Sequence, residues 1–256
     1  MKQLIINADD FGLTAGVSRG ILYAMRKGIV SSTSALVCNR AAAVLARASD
    51  TLSGRVGLHL QLTDGSPCLA RCRSLVTRQG RFPRFPEHLG TPDPDEIRIE
   101  WQAQLAAFLR SGLTPSHIDT HHNVHAYPGV FEVYCEVARR CGVPARTLSP
   151  EMTESLRSRG IPCADCCETA WVTGKVTQGE LLEQITAAFD RCGGRGVIEL
   201  ACHPGYADRL LSTRSFYISA REEELRILCS DQLARRLRRL EVEIIGMADT
   251  RIVRAS

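Results

Sequence analysis

The chain predicts an α/β fold of βα units around a parallel sheet, and three observations carry that reading. Strand-like and helix-like segments alternate over nearly the whole length, the pattern of parallel strands joined by crossover helices. The length of 256 residues suits one domain of the size at which α/β barrels form. The third observation is where the polar residues fall. Asp9-Asp10, His59, Asp119 with His121, His203 and Asp249 each lie at or just past the C-terminal end of a predicted strand. In a closed or partly closed βα barrel those ends converge on one face, so residues remote in sequence meet there.

Leu4 to Ala8 is a compact apolar run and the first strand. Thr14 offers an N-cap, apolar residues follow at helical spacing (Val17, Ile21, Leu22, Met25), and Gly28 stops the helix. Thr33 to Val37 resumes strand character, Ala41 to Ala48 is helical, and Val56 to Leu60 is the next strand. Residues 63–94 break the alternation with five prolines and little periodicity, a long loop of the kind that usually serves function. Such a loop, following directly on the His59 strand, should overhang the barrel mouth. Asp95 to Leu109 reads as an amphipathic helix closed by Gly112, and His117 to Asp119 as a short strand. Pro128 suits the first helical position of a helix ending at Gly142. Leu181 to Phe189 is helical, Val197 to Ala201 a strand, Glu222 to Leu240 one helix, and Val242 to Ile245 a last strand. No repeat and no domain boundary interrupts this order, so residues 1–256 are read as one domain. Residues 163–179 fit no pattern.

Composition narrows the class. Apolar residues make up 44% and charged residues 23%, which suits a globular enzyme and excludes a disordered chain. No apolar run approaches the roughly 18 residues of a membrane span. Met1 to Asn7 enters a strand-like run without the apolar core and cleavage site of a signal peptide, which points to the cytoplasm. The eleven cysteines are odd in number and sit mostly in apolar stretches, as at Cys38, Cys135, Cys202 and Cys229. Reduced core thiols are therefore expected, and the CxxC from Cys163 to Cys166 is a weak signal alone. The net charge is +4 and aromatic content 5%. The densest basic run, Arg235 to Arg239, reads as a solvated helix face, and no nucleic-acid partner is expected.

In Asn7-Ala8-Asp9-Asp10-Phe11-Gly12 two carboxylates follow an apolar strand. Neighbours on a regular strand point to opposite faces, but where the chain turns both can enter one pocket. Two carboxylates there repel unless a cation neutralises them or one takes a proton, which suits a division into metal ligand and general base. The plainer alternative has Asp10 capping the turn before Gly12 and Asp9 solvated. His59, inside the apolar alternation from Gly57 to Leu62, is a hydrogen-bonded core residue unless another site group lies near. The densest signal is His117-Ile118-Asp119-Thr120-His121-His122-Asn123-Val124-His125, four histidines and a carboxylate in nine residues. Extended, His117, Asp119 and His121 share one face, and beyond them His122 and His125 can reach back. Imidazole and carboxylate are the ligands a borderline divalent cation prefers without thiolate, and three protein ligands plus water mark a catalytic metal. The remaining groups would orient those ligands. His203, before Pro204-Gly205, is either a proton donor or a turn residue.

Taken together, Asn7 to Gly12, Gly57 to Leu60, His117 to His125 and Cys202 to Gly205 resemble the YdjC-like carbohydrate deacetylase family, which includes chitooligosaccharide deacetylase. The motifs occur in the right order across positions 3 to about 250. The resemblance implies a deformed (β/α) barrel and a hydrolase that removes acetyl groups from acetylated amino sugars with one divalent metal ion, Mg2+ or Zn2+. Carried over by motif, the ligands are Asp10, His59 and His121, the base is Asp9 and the acid His203. Asp119, His122 and His125 would orient ligands or contact substrate. Asn123 departs from the commonest pattern, in which a further histidine stands there. The resemblance also suggests a homodimer. Two other functions are open to the same residues. A metal-dependent phosphoesterase would be favoured by a second ion about 3.5–4 Å from the first. A non-catalytic carbohydrate- or metal-binding module would have no use for Asp9 as a base.

Overall fold

Lys2–Phe11 forms the central strand β1 of a computed structural model that describes residues 1–38, 41–169 and 177–249. Every residue of β1 from Gln3 onward is buried, as the apolar run Leu4, Ile5 and Ile6 requires of a parallel strand covered on both faces. Six further described strands follow: β2 (Ser32–Ala35), β3 (Val56–Leu60), β4 (Ile118–Thr120), β5 (Cys166–Glu168), β6 (Gly196–Cys202) and β7 (Val242–Ile244). All pair in parallel in the order β4-β3-β2-β1-β6-β5, with β7 on β1. One edge of β1 is shared: its first residues, Lys2 to Leu4, pair with β7, and its last, from Asn7 to Phe11, with β2.

The helices are α1 (Ala15–Lys27), α2 (Ala41–Arg47), α3 (Ser49–Leu52), α4 (Pro94–Leu109), α5 (Phe131–Cys141), α6 (Pro150–Ser158), α7 (Gln178–Arg191), α8 (Leu211–Arg214), α9 (Ser219–Leu228) and α10 (Asp231–Arg239). The result is the expected α/β architecture, a curled half-barrel of parallel strands wrapped by helices. Between the edges β4 and β5 the wall is carried on by single backbone rungs. Ile118 N–H donates to Pro144 O (2.9 Å), Arg146 N–H to Ile118 O (3.0 Å), and Ala145 N–H to Pro162 O (2.8 Å). This places Arg146 where a further barrel strand would stand.

Several elements follow the sequence closely. Thr14 Oγ1 accepts from Val17 N–H (3.2 Å) to start α1, and Gly28 ends it. Gly142, at φ 64° in the left-handed region, closes α5. Others depart from it. The helix expected over 222–240 is two helices. Ser230 is extended (φ −79°, ψ 121°) and starts α10, while the end of α9 is tied to the turn after α1 by Ile29 N–H donating to Leu228 O (3.0 Å). Pro128 is not at the first helical position, because Gly129 takes φ 79° and α5 begins only at Phe131. Helix α6 and strand β5 had no counterpart in the sequence reading, and of the unplaced stretch 163–179, residues 170–176 lie outside those described. Among the described residues no helix is long and apolar enough to cross a membrane.

Candidate active site

The two aspartates reach one pocket through a defect in β1. Ala8 pairs with Thr33 and Phe11 with Ala35, so β1 spends three residues where β2 spends two. That is a β-bulge, and it re-aims the side chains beside it. Asp10 takes φ 72°, a left-handed conformation that Asp tolerates better than most residues. Both carboxylates then line the same cavity of about 420 Å³. The strand does not end before the pair, as the sequence suggested, but kinks through it.

Asp10, His59 and His121 converge, each offering one ligand atom within 4.8 Å of the others. His121 Nδ1 lies 2.9 Å and His59 Nε2 3.6 Å from Asp10 Oδ1, yet that oxygen has no hydrogen bond of acceptable geometry. A buried carboxylate oxygen left unpartnered beside two imidazole nitrogens fits a bound cation. The second nitrogen of His59 is fixed: Nδ1 lies 2.7 Å from Asp119 Oδ1 and 3.1 Å from Ser34 Oγ. A carboxylate behind a ligating imidazole sets its tautomer and raises its basicity. Burial works against a charged His59, but Asp119, Asp10 and Asp9 outweigh it and raise its pKa to about 10. The site demands positive charge.

Asp9 is held apart from this donor set. Arg146 forks onto it, Nη1 to Oδ2 and Nη2 to Oδ1 at 2.7 Å each, and Asn7 Nδ2 donates to Oδ1 (2.8 Å). The same guanidinium meets Asp119 (3.0 Å) and Glu199 on β6 (2.7 Å). Burial raises the Asp9 pKa, and the Arg146 charge more than reverses that, so Asp9 stays ionised. Asp9, His59 and Asp119 are a second geometrically compact set of donors, but Arg146 and the His59 ring already occupy those carboxylates.

Asp10 has its own arginine. Arg221, from the first turn of α9, donates from Nη2 to Asp10 Oδ2 (2.6 Å) and from Nε to Tyr217 O (3.1 Å). Burial alone would raise the Asp10 pKa; the charges of His121 and Arg221 hold it well below the usual carboxylate range. His203 lies just past β6 with Nε2 4.0 Å from Asp9 Oδ2. Burial pulls its pKa down to about 4 against the pull of Asp10 and Asp9, so the ring is neutral at pH 7. Its backbone N–H donates to Glu224 (2.5 Å), whose other oxygen accepts from the Tyr217 hydroxyl. The loop carrying His203 presses on α1 so closely that a Cβ on Gly20 would lie 2.6 Å from Gly205 Cα.

The remaining histidines of the cluster divide by position. His122 lines the cavity, stacks on His121 (3.8 Å between ring centres) and pairs Nδ1 with Thr63 Oγ1 (3.0 Å). His122 and Asn123 are left-handed, at φ 55° and 52°, and that turn separates His121 from the core behind it. His125 lies in that core, paired with Thr120 Oγ1 (2.6 Å) and stacked on Tyr134 (4.4 Å), away from the cavity. His117 is fully buried under β3, where only glycine at 57 leaves room: a Cβ there would meet its ring at 2.5 Å. Asp249 does not line the cavity. Sequence reasoning missed Arg146 and Arg221. Arg146 had a usable signal, since it follows the apolar Val143-Pro144-Ala145 after a helix stop, the strand-end position shared by the other site residues. Arg221 had none.

The excursion over 63–94 is anchored rather than loose. Cys72, Leu75, Phe82 and Leu89 join the main core, and Glu100 on α4 accepts from the backbone N–H groups of Cys68 (2.8 Å) and Leu69 (2.9 Å). Its Arg84, Phe85 and Pro86 line the cavity together with Arg214, Phe216 and Tyr217. Of the five arginines of this loop, Arg71, Arg73, Arg78, Arg81 and Arg84, only Arg84 lines the cavity.

A curled parallel sheet whose strand ends gather an Asp-His-His donor set beside a separately charged carboxylate defines a hydrolase of the barrel-mouth type. The YdjC-like protein family matches residues 3–239. The chain is 37% identical over 245 residues to a carbohydrate deacetylase of Geobacillus stearothermophilus, covering 95% of this chain and 96% of that one. It is 31% identical over 254 residues to a carbohydrate deacetylase of Clostridium beijerinckii, covering 96% and 99%. A solved structure described as a cellobiose-phosphate cleavage protein from Enterococcus faecalis superposes with a TM-score of 0.85 at 30% identity, covering 96% of this chain and 97% of that one. A family 4 carbohydrate esterase from Streptomyces lividans shares the fold at a TM-score of 0.52 and 14% identity, covering 98% and 94%. The chain belongs to the YdjC-like family.

Proposed function

We propose that the chain is a metal-dependent N-deacetylase that releases acetate from acetylated amino sugars, a chitooligosaccharide or another N-acetylglucosamine conjugate. The observation that carries this reading is the separation of roles between neighbouring aspartates: Asp10 faces two imidazoles with an unsatisfied oxygen, while Asp9 is ionised on Arg146. Asp10, His59 and His121 would hold one divalent cation, and two imidazoles among three ligands favour zinc over magnesium. Such an ion supplies Lewis acidity, lowering the pKa of a water and offsetting charge on the acetamide oxygen.

The chain's own residues do the rest. Asp9, ionised at neutral pH, accepts the proton of the attacking water. His203, neutral and 4.0 Å from Asp9, can receive that proton and hand it to the departing amine. With a pKa near 4, its protonated form gives the proton up readily. Asp119 keeps the His59 ring in register, and Arg221 keeps Asp10 ionised. A second ion, which a phosphoesterase would favour, finds its donors already engaged by Arg146. Homodimer formation and a cytoplasmic location belong to the same proposal; sedimentation of the purified protein and fractionation of the producing cell read them.

The test is acetate release from diacetylchitobiose by the purified protein. Chelation should abolish it and a divalent cation restore it. Release of phosphate from a sugar phosphate with no acetate from any acetylated sugar would overturn the proposal. Full metal occupancy in a His59→Ala/His121→Ala double variant would overturn the ligand assignment.

A further inference from the structure

Outside the active site, one cluster of reactive side chains stands where the excursion over 63–94 meets the sheet. Cys38 lies three residues beyond β2, and Cys68 lies in the excursion. Their sulfurs are 3.8 Å apart, and the carboxylate of Glu100 lies against both, 4.0 Å from Cys38 Sγ and accepting the Cys68 backbone N–H. We infer that Cys38 and Cys68 are a redox modification site: a peroxide converts them to a reversible disulfide that ties the cavity-walling excursion to the end of β2.

The placement of the two thiols is asymmetric in the way such a reaction needs. Cys68 is exposed, so an oxidant reaches it, whereas Cys38 is half-buried behind it. The hydrogen bond with Cys38 lowers the Cys68 pKa, and the same contact together with burial raises that of Cys38. Cys68 is therefore the attacking sulfur, since the thiolate is the nucleophile. Its thiolate attacks one oxygen of hydrogen peroxide, the O–O bond breaks, and Cys68 becomes a sulfenic acid as the other oxygen leaves as water. Cys38 then attacks the Cys68 sulfur, the S–O bond breaks and a second water leaves. Two thiols have lost two electrons and two protons to one peroxide.

Closing from 3.8 Å to the roughly 2 Å of a covalent bond is a sulfur approach of about 2 Å, beside a backbone that Glu100 already holds at residues 68 and 69. The alternative use of the cluster, a metal site of two thiolates and Glu100, meets an obstacle. Glu100 is fully buried, and its oxygens are taken by two backbone N–H groups and by Gln104 Nε2 (2.8 Å). Cys166 and Cys192 supply a comparison within the chain: they are also in hydrogen-bond contact, but burial pushes the Cys166 thiol up to about 12.

The experiment treats the full chain with hydrogen peroxide and maps its peptides under non-reducing conditions. A Cys38–Cys68 linked peptide, lighter by two hydrogen atoms and reversed by a dithiol, is expected, and amide exchange across residues 63–94 should slow once it forms. In Cys38→Ser, Cys68 should oxidise onward to the sulfinic acid with no change in exchange. In Cys68→Ser, Cys38 should stay a thiol. Oxidation of Cys68 in the wild-type protein without the link, linkage only at Cys166 and Cys192, or stoichiometric zinc lost in Cys68→Ser would overturn the assignment. A link that leaves the exchange of residues 63–94 unchanged would overturn the tie.

Discussion

Asp9 and Asp10 are one residue type with different counter-charges, Arg146 on the one and Arg221 on the other, and those decide what each can do. Arg146 is fully buried and shared among Asp9, Asp119 and Glu199, so it neutralises a cluster that otherwise could not ionise together. Removing one partner of a buried charge network costs far more than the pair is worth, because the rest is left uncompensated. Arg146→Met should therefore destabilise the fold by about 3–5 kcal/mol, read from urea unfolding; a loss within a few tenths would show that water already screens the cluster. Asp9→Asn tests the base. It should keep the bound metal while lowering the rate roughly 10²–10⁴-fold, measured by acetate release alongside metal content. Loss of the metal in that variant would mean that the two aspartates share the ligand role.

At the scale of elements, β6 and α9 carry a pH dependence that the site imposes on the fold. Glu199 on β6 and Glu224 on α9 are both raised from 4.5 to about 7, first by burial, against the pull of Arg146 on the one and of the Tyr217 hydroxyl on the other. A carboxyl whose pKa is raised on folding binds its proton more tightly folded than unfolded. Its contribution is fully present below 4.5 and is lost as pH rises through about 7. That contribution falls across the window by roughly 3 kcal/mol for such a shift in one buried group, and it opposes the gain from buried histidines such as His203, whose pKa is lowered to about 4. Glu224→Gln should remove the Glu224 share, so that urea midpoints near pH 8 rise relative to those at about pH 4.5 when compared with the unsubstituted chain, and an unchanged difference would place the Glu224 proton elsewhere. These elements also show what the sequence could and could not display. Strand β6 was legible from its apolar run and His203 from its place just beyond it. The break between α9 and α10 was not, because it depends on Leu228 O meeting Ile29 across the fold, and apolar spacing continues through Leu233 and Leu237 regardless. Asp10 was legible as a residue type, but the bulge that turns it inward is a property of the β1–β2 register, which no local pattern encodes. Arg221 looked like any of the many arginines until α9 was placed against β1.

Across the whole molecule, the cavity is walled by two segments that the sheet does not contain. Arg84 stands over the Phe216 ring, 4.6 Å from its centre, so the excursion over 63–94 touches the loop before α9 across the mouth. Phe216 is 80% exposed, an aromatic face offered to whatever extends beyond the donor set. The donor set and this rim line one cavity, so a substrate longer than one sugar is expected to use both. Binding energy from the remote unit of such a substrate can position the acetamide for attack and appear in the rate. The β-1,4 dimer of N-acetylglucosamine should therefore have a higher kcat/KM than the monosaccharide. An Arg84→Ala/Phe216→Ala variant should lose about tenfold on the dimer, equivalent to roughly 1.4 kcal/mol, and little on the monomer. Both residues are exposed and outside the core, so the variant tests the rim without the damage that cutting out Leu75 or Phe82 would do. Equal kcat/KM for monomer and dimer, unchanged in the double variant, would remove the rim from recognition and leave selectivity to the floor of the cavity.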